Sequence, residues 1–458
     1  MNGLEQAQQR MADAGVAQRA IDVFSDFYAQ LVDGATGMVA EADVDPLVDI
    51  AHAGEIELDA DARREAASAT AIIKLNGGLG TSMGLDRAKT LLPAHGELTF
   101  LDVIVGQVRA VRESTGAPLP LLFMNSFRTR DDTIMALAPY GDLTVGGLPA
   151  DFLQNREPKL RADDLAPVDW PADPSLEWCP PGHGDLYTAL DVSGILDSLL
   201  ERGFRYATVS NADNLGAAPD PAMMAWFVAS GAPYAAEVCR RTPADVKGGH
   251  LVVRKSDGRL VLRETAQVPA DDAPLADDPA RHPYFHTNNL WFDLGVVRAT
   301  LDARDGILGL PLIRNHKTVD PTDPSSPRVI QIESAMGAAV EVFDGATAIE
   351  VNRSRFLPVK TTNDLLLLQS DVYDIGDDFR LRAAADPVPL VDLDRRFYTS
   401  ITDFTARLPE PPSLVDARSL TVRGDWTFGP GVTVHGDVVL DDTGAAETVA
   451  PSSRLAGG

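Results

Sequence analysis

Four glycines set between two lysines, in the stretch TAIIKLNGGLGTSMGLDRAK from Thr70 to Lys89, are the residues whose types and spacing best suit chemistry. They are Gly77, Gly78, Gly80 and Gly84, with Lys74 before them and Lys89 after. Glycine lets backbone N–H groups approach an anion with no side chain in the way, and it tolerates positive φ where such loops need it. The two lysines add charge. The stretch therefore reads as a phosphate cradle, with a ligand-free glycine-rich turn as the alternative. Two commoner glycine loops do not fit. No Gly-Lys-Ser/Thr completes a Walker loop, and a dinucleotide fingerprint begun at Gly78 and Gly80 meets Met83 where its last glycine belongs.

Other polar clusters carry chemistry of the same kind. Asp213, in the run Ser210 to Asn214 after an apolar strand, is either a ligand for a divalent cation on phosphate oxygens or an Asx turn that ends the strand. In WCPPGHGD, His183 stands between Gly182 and Gly184, where an imidazole can donate to a phosphate or a sugar hydroxyl. Gln154 in DFLQNREPK has an amide able to read a base edge, or is simply a polar loop residue. Asn288 and Asn289 beside Trp291 resemble a sugar site, and equally a polar strand end over a core tryptophan. The chain has 33 arginines but seven lysines, so a lysine marks a place where a compact point charge is wanted. Six of them (Lys74, Lys89, Lys159, Lys247, Lys317 and Lys360) fall in segments that look like site loops; Lys255 sits in an ordinary KSDG turn.

The elements that must position these groups follow from periodicity. Residues 1–69 carry Ile21, Phe24, Phe27 and Leu31 at helical spacing and read as a helical N-terminal segment without chemistry of its own. From 70 to 385 strands and helices alternate: a strand from Ala71 to Leu75, a helix from Phe100 to Arg112, a strand from Leu121 to Met124 leading into Asn125 and Ser126, one helix from Leu186 to Leu200 ended by Gly203, and a strand from Tyr206 to Val209. Such alternation implies a parallel sheet covered on both faces, whose ligands bind beyond the carboxyl ends of the strands. The glycine loop, Asn125-Ser126 and Asn211 to Asp213 all fall at such ends. Val268 to Pro283, rich in Asp, Ala and Pro, reads as an exposed loop. Residues 386–458 read as a short β-rich region with an unordered tail, because Val422-Arg423-Gly424-Asp425 and Val434-His435-Gly436-Asp437 repeat at a spacing of 12.

Composition narrows the function. A chain of 458 residues with 45% hydrophobic content holds two or three structural units around a large core. A net charge of −27 argues against a nucleic-acid partner. Two cysteines, Cys179 and Cys239, provide neither a disulfide framework nor a metal cluster and suit a reducing cytoplasm. Neither a secretory signal nor a membrane span is expected.

Motif by motif from about residue 70 to 440, the chain resembles the eukaryotic-type UTP–glucose-1-phosphate uridylyltransferases. The matching segments are KLNGGLGTSMG, LFMNSF, PPGHGD, SNADNLG, ADVKGG, TNNLW, QIESAMGAA and SRFLPVKTT. The resemblance implies an α/β fold of the Rossmann-like, GT-A-like nucleotidyltransferase type: a mixed, mainly parallel sheet with helices on both faces and a small β-helix-like region at the C-terminus. It implies that Leu75, Asn76, Gly77, Gly78 and Gly182 bind UTP, that Gln154 recognises uracil, and that Asn211 and Asp213 bind nucleotide, with Asp213 the ligand of Mg²⁺. His183 contacts glucose 1-phosphate on this reading, Lys247, Asn288 and Asn289 complete the sugar side, and Lys89 and Lys360 bind phosphates, with Lys360 foremost in catalysis. Partners are then the two small-molecule substrates, with oligomerisation open. Ser82, where related branches often place arginine, fits the eukaryotic-type branch. Asp86 stands where a basic residue is common, His286 stands where asparagine is usual, and the C-terminal region is shortened. Another sugar 1-phosphate, or a non-catalytic nucleotide-sugar-binding role, are the competing readings.

Overall fold

The computed structural model describes residues 2–80, 83–85, 87–242 and 248–457; Ser82, Asp86 and Lys247 lie outside them. Thr70–Asn76 and Leu121–Asn125 are buried along nearly their whole length, which suits strands covered on both faces. They sit inside an eight-stranded sheet. In spatial order it runs Ala51–His52, Thr347–Glu350, Tyr234–Arg240, Tyr284–Asp293, Tyr206–Asn211, Thr70–Asn76, Leu121–Asn125 and Asp151–Leu153. Only Tyr284–Asp293 is antiparallel, to both of its neighbours; all other pairs are parallel. The sheet is thus mixed and mainly parallel.

Alternation along the strands divides the interior in two. Ile72, Leu121 and Phe123 join a core that includes the helices Phe100–Thr115, Pro221–Ser230 and Thr362–Gln369 and extends into the C-terminal strands. Ala71, Ile73 and Leu122 join a second core with Gln18–Val32, Leu186–Val192 and Leu294–Ala303. The helix expected from Leu186 to Leu200 is two helices, Leu186–Val192 and Ile195–Glu201, because Gly194 takes φ 70° between them. Phe100–Thr115 runs a turn-end past Arg112, from a Thr99–Asp102 capping box to a left-handed Gly116.

The first 69 residues do more than form helices. Ala51–His52 extends the central sheet, and Val44–Pro46 pairs antiparallel with His250–Arg254. Just before these strands in the chain, Glu41, 5% exposed, accepts hydrogen bonds from Arg263, itself fully buried, and from Arg281, with the His282 ring 3.1 Å away. Those bonds outweigh burial and hold the Glu41 carboxyl down at about 2. Removing one member of a buried pair leaves the rest uncompensated. Glu41→Gln is therefore expected to lower unfolding free energy by about 3 kcal/mol, read from urea midpoints; a change under about 0.5 kcal/mol would contradict this role. Val268 to Pro283, expected as an open loop, contains the short helix Ala273–Ala276 and tucks His282 inside.

At the C-terminal end, Leu390–Leu393, Ala417–Val422, Thr433–Leu440 and Arg454–Ala456 stack in parallel, as do Trp426–Phe428 and Glu447–Val449. Val422 pairs with Leu440, so the coil period there is 18 residues (440 − 422), and the Gly-Asp repeat at 12 is not the structural one. Arg454–Ala456, in the stretch expected to be an unordered tail, is the last strand of the stack. Among the described residues no helix is long and apolar enough to cross a membrane.

Candidate active site

Two adjoining cavities open at the carboxyl ends of the central strands. The first, about 350 Å³, is lined by Leu75, Asn76, Gly77, Gly78, Lys89, Gln154 and Asp213. The second, about 380 Å³, is lined by Asn288, His286, Glu264, Arg314 and Lys360. Gly182, His183, Asn211 and Glu333 form the wall common to both. Of the groups expected at the nucleotide, all but Lys360 lie in the first cavity or on the shared wall; Lys360 lines the second, with Asn288.

Close backbone approach explains two of the glycines. A Cβ on Gly77 would stand 2.6 Å from Gln154 Oε1, and one on Gly182, which has φ 77°, 2.5 Å from the Ser334 carbonyl. Gln154 Nε2 donates to the Gly182 carbonyl at 2.9 Å, so its amide ties the two loops together across the cavity. Asn76 spends its side chain inward: Nδ2 donates to Asn125 Oδ1 at 2.8 Å and Thr133 Oγ1 at 2.9 Å. Asn125, placed by its strand end among the site groups, is fully buried and also bonds Asp151 at 3.3 Å. It fixes the strand behind the glycine loop and lines neither cavity.

His183 has a defined tautomer. The Met336 backbone N–H donates to Nδ1 at 2.9 Å, so the neutral ring carries its proton on Nε2. Burial pushes its pKa down to about 4. The ring thus offers one neutral N–H at the junction of the cavities, not a positive charge.

Lys89 Nζ donates to Asp213 Oδ2 at 3.0 Å and to the Val359 carbonyl. Two of its three protons are used in this way, leaving one for a phosphate oxygen. Among the described residues no three His, Cys, Asp or Glu side chains converge as a metal cage. The Asp213 carboxylate on the wall of the first cavity still fits a hard divalent cation that takes most of its ligands from phosphate and water.

Several expectations change. Asn289, foreseen as a sugar ligand, is 1% exposed and donates to Glu237 Oε2 at 3.0 Å and to the Arg355 carbonyl at 3.2 Å. It sits on the opposite strand face from Asn288 and lines neither cavity. Trp291 is also buried, with Nε1 donating to Glu237 Oε1 at 2.9 Å, and offers no face to a sugar. Of the six lysines, Lys159 is buried against the Val319 carbonyl at 2.8 Å and Lys317 is exposed on the strand Ile313–Thr318, away from both cavities. Lys247 lies outside the described residues. Glu264, Arg314 and Glu333 line the cavities without having been singled out individually. Burial raises both carboxyl pKa values. Glu333 stands in the QIESAMGAA motif, the one signal that pointed near it.

Lys74, the first lysine of the glycine stretch, turns away from the cavities. Its Nζ donates to Ser210 Oγ at 2.7 Å and the Ala217 carbonyl at 2.8 Å, bracketing the turn that carries Asn211 and Asp213. Burial first, then Arg355, brings its pKa down to about 7. The unfolded chain then holds more protons than the folded one between about 7 and 10.5, so this group makes stability rise with pH across that window. Below about 7 both states are charged and its unfavourable contribution is constant. Comparing urea midpoints from pH 7 to 10, the wild type should gain stability relative to Lys74→Met; parallel curves would contradict the assignment.

Comparison with known proteins follows the same outline. A family model described as UTP–glucose-1-phosphate uridylyltransferase matches residues 21–435. The UTP–glucose-1-phosphate uridylyltransferase of Solanum tuberosum is 40% identical over 374 residues, which is 81% of this chain and 76% of that protein. Its counterpart in Saccharomyces cerevisiae is 39% identical over 376 residues, 81% and 74% of the two chains. A crystal structure of a UDP-glucose pyrophosphorylase point variant from Leishmania major, in complex with UDP-glucose, superposes with a TM-score of 0.92 at 38% identity, covering 100% of this chain and 98% of that one.

Proposed function

The chain belongs to the UTP–glucose-1-phosphate uridylyltransferase family, and from that premise we propose how its two cavities divide the reaction UTP plus glucose 1-phosphate to UDP-glucose plus pyrophosphate. The observation that carries this division is the shared wall of Gly182, His183 and Asn211, with the glycine loop on one side and Asn288 and Lys360 on the other. The nucleotide occupies the first cavity. Backbone N–H groups from Leu75 to Gly78 take its phosphates and Gln154 reads the uracil. Glucose 1-phosphate occupies the second, with Asn288 on sugar hydroxyls. His183 Nε2–H donates to the sugar phosphate at the junction.

The family generally uses a divalent metal ion, and we assign Mg²⁺ to Asp213, where it would screen the phosphate charges when bound. Lys89 holds the Asp213 carboxylate in place and turns its remaining proton to a phosphate oxygen. A phosphate monoester has a second pKa near ~6, so the sugar phosphate is already a dianion at neutral pH. It attacks the α-phosphorus in line, and pyrophosphate leaves, without a protein base. What this chain's residues contribute is the alignment of two anions and relief of their repulsion. With only two cysteines, both buried, a reducing cytoplasm is the compartment we propose.

A panel of sugar 1-phosphates assayed for pyrophosphate release with UTP and Mg²⁺ tests the assignment. Glucose 1-phosphate is expected to be used best. Faster turnover of galactose 1-phosphate or an N-acetylhexosamine 1-phosphate would overturn the sugar assignment.

A further inference from the structure

Lys360 and Asp213 come from segments far apart in sequence, yet both must address one phosphate chain. What fixes their relative position is buried polar structure behind the cavities. The segment leading to Lys360 is hydrogen-bonded to the Asp213 turn at every second residue. The Arg355 carbonyl accepts from Asn214 Nδ2 at 3.1 Å, the Leu357 N–H donates to Asn214 Oδ1 at 2.8 Å, and the Val359 N–H donates to the Asp213 carbonyl at 3.1 Å.

The start of that segment is anchored in turn. Glu237, fully buried, accepts from Arg355 Nε at 2.8 Å and Nη2 at 2.7 Å, a bidentate fork. The same carboxylate accepts from Asn289 Nδ2, whose second contact is the Arg355 carbonyl. Asn289 Oδ1 takes a hydrogen bond from Asn214 Nδ2 at 3.2 Å, which closes the circuit. Three side chains from three other segments, Glu237, Asn214 and Asn289, therefore meet on Arg355, five residues before Lys360.

We propose that Glu237, Arg355, Asn214 and Asn289 are a positioning clamp that sets Lys360 against Asp213, and that Asn289 serves the reaction through this clamp and not as a sugar ligand. The proposal rests on the assignment of Lys360 to the phosphates. Displacing a charged group by about 1 Å at a reacting centre costs on the order of 100-fold in rate. The clamp lies outside both cavities except where Asn214 borders the second, so loosening it should alter turnover and leave the sugar pocket intact.

The test is a kinetic cycle of Asn289→Ala, Lys360→Ala and the double variant, with kcat and KM for glucose 1-phosphate measured on each and folding checked by thermal melts. Asn289→Ala is expected to lower kcat by about 10- to 100-fold, with KM for glucose 1-phosphate within about threefold of wild type. In the Lys360→Ala background the same change should cost less than about threefold, because the group being positioned is gone. A raised KM with unchanged kcat would make Asn289 a sugar ligand and overturn the clamp. Equal losses in both backgrounds would reduce it to general structural support and overturn it as well. Near-normal turnover of Lys360→Ala alone would instead remove the premise that Lys360 acts on the phosphates, and the clamp with it. Where Asn289→Ala does not fold, Asn289→Ser enters the cycle with the same readings.

Discussion

Lys360→Ala is expected to lower turnover by about three orders of magnitude while UTP affinity falls less than about tenfold. Negative charge gathers on the α-phosphate oxygens as the second phosphate closes in, so a cation placed there counts for more in the transition state than in the bound ground state. The surroundings of Lys360 favour such a placement. Its backbone N–H and that of Thr361 both donate to Asp364 Oδ2, at 2.9 and 2.8 Å, which fixes the main chain at the start of the helix Thr362–Gln369. Arginine is not expected to replace it, since a wide planar fork does not fit where a compact ammonium lies beside phosphates. Steady-state kinetics paired with equilibrium UTP binding check this. Loss of binding matched to loss of turnover would mark Lys360 as a uniform binder, and turnover within tenfold of wild type would remove it from catalysis.

The second large effect is expected at Asp213. Asp213→Asn should raise the Mg²⁺ concentration for half-maximal activity by tenfold or more, and part of the lost turnover should return at saturating metal. The expectation follows from assigning the cation to the Asp213 carboxylate. Where a cation would draw its other ligands from phosphates and water, a neutral amide weakens the assigned protein ligand and leaves the remainder in place. The same change removes the charge partner of Lys89, 3.0 Å away, so the lysine gains freedom to move onto phosphate. A metal titration of the variant decides the matter: an unchanged Mg²⁺ requirement would show that Asp213 serves only to hold Lys89 and end the strand.

The parts of the site legible in the sequence were those where a residue type has one physical reason to be where it is. The glycine stretch announced close backbone approach, and Gly77 and Gly182 each have a neighbour within 3 Å of a missing Cβ. Asp213 was legible because an apolar strand runs straight into it. The α/β alternation gave the sheet, since both faces of Thr70–Asn76 and Leu121–Asn125 had to be buried. Where a residue type has two uses, sequence alone does not separate them. A rare lysine reads as a site lysine, yet Lys74 and Lys159 are buried supports whose partners, Ser210 and Val319, lie far along the chain. Neighbouring asparagines on a strand point to opposite faces, so Asn288 and Asn289 could not both face a sugar. Glu41, Glu237 and Arg355 were silent because their meaning lies wholly in tertiary pairing: an acidic residue in a helical N-terminal segment gives no sign that Arg263, more than two hundred residues away, depends on it.

The central claim is that the sugar phosphate itself displaces pyrophosphate in a single in-line step, the protein supplying alignment and charge but no nucleophile. The stereochemical course at the α-phosphorus tests this most directly. With a single diastereomer of UTP bearing sulfur at the α-position, the account predicts UDP-glucose with inverted configuration, as one displacement requires. Retention would mean two displacements through a covalent nucleotidyl-protein intermediate, and would contradict it.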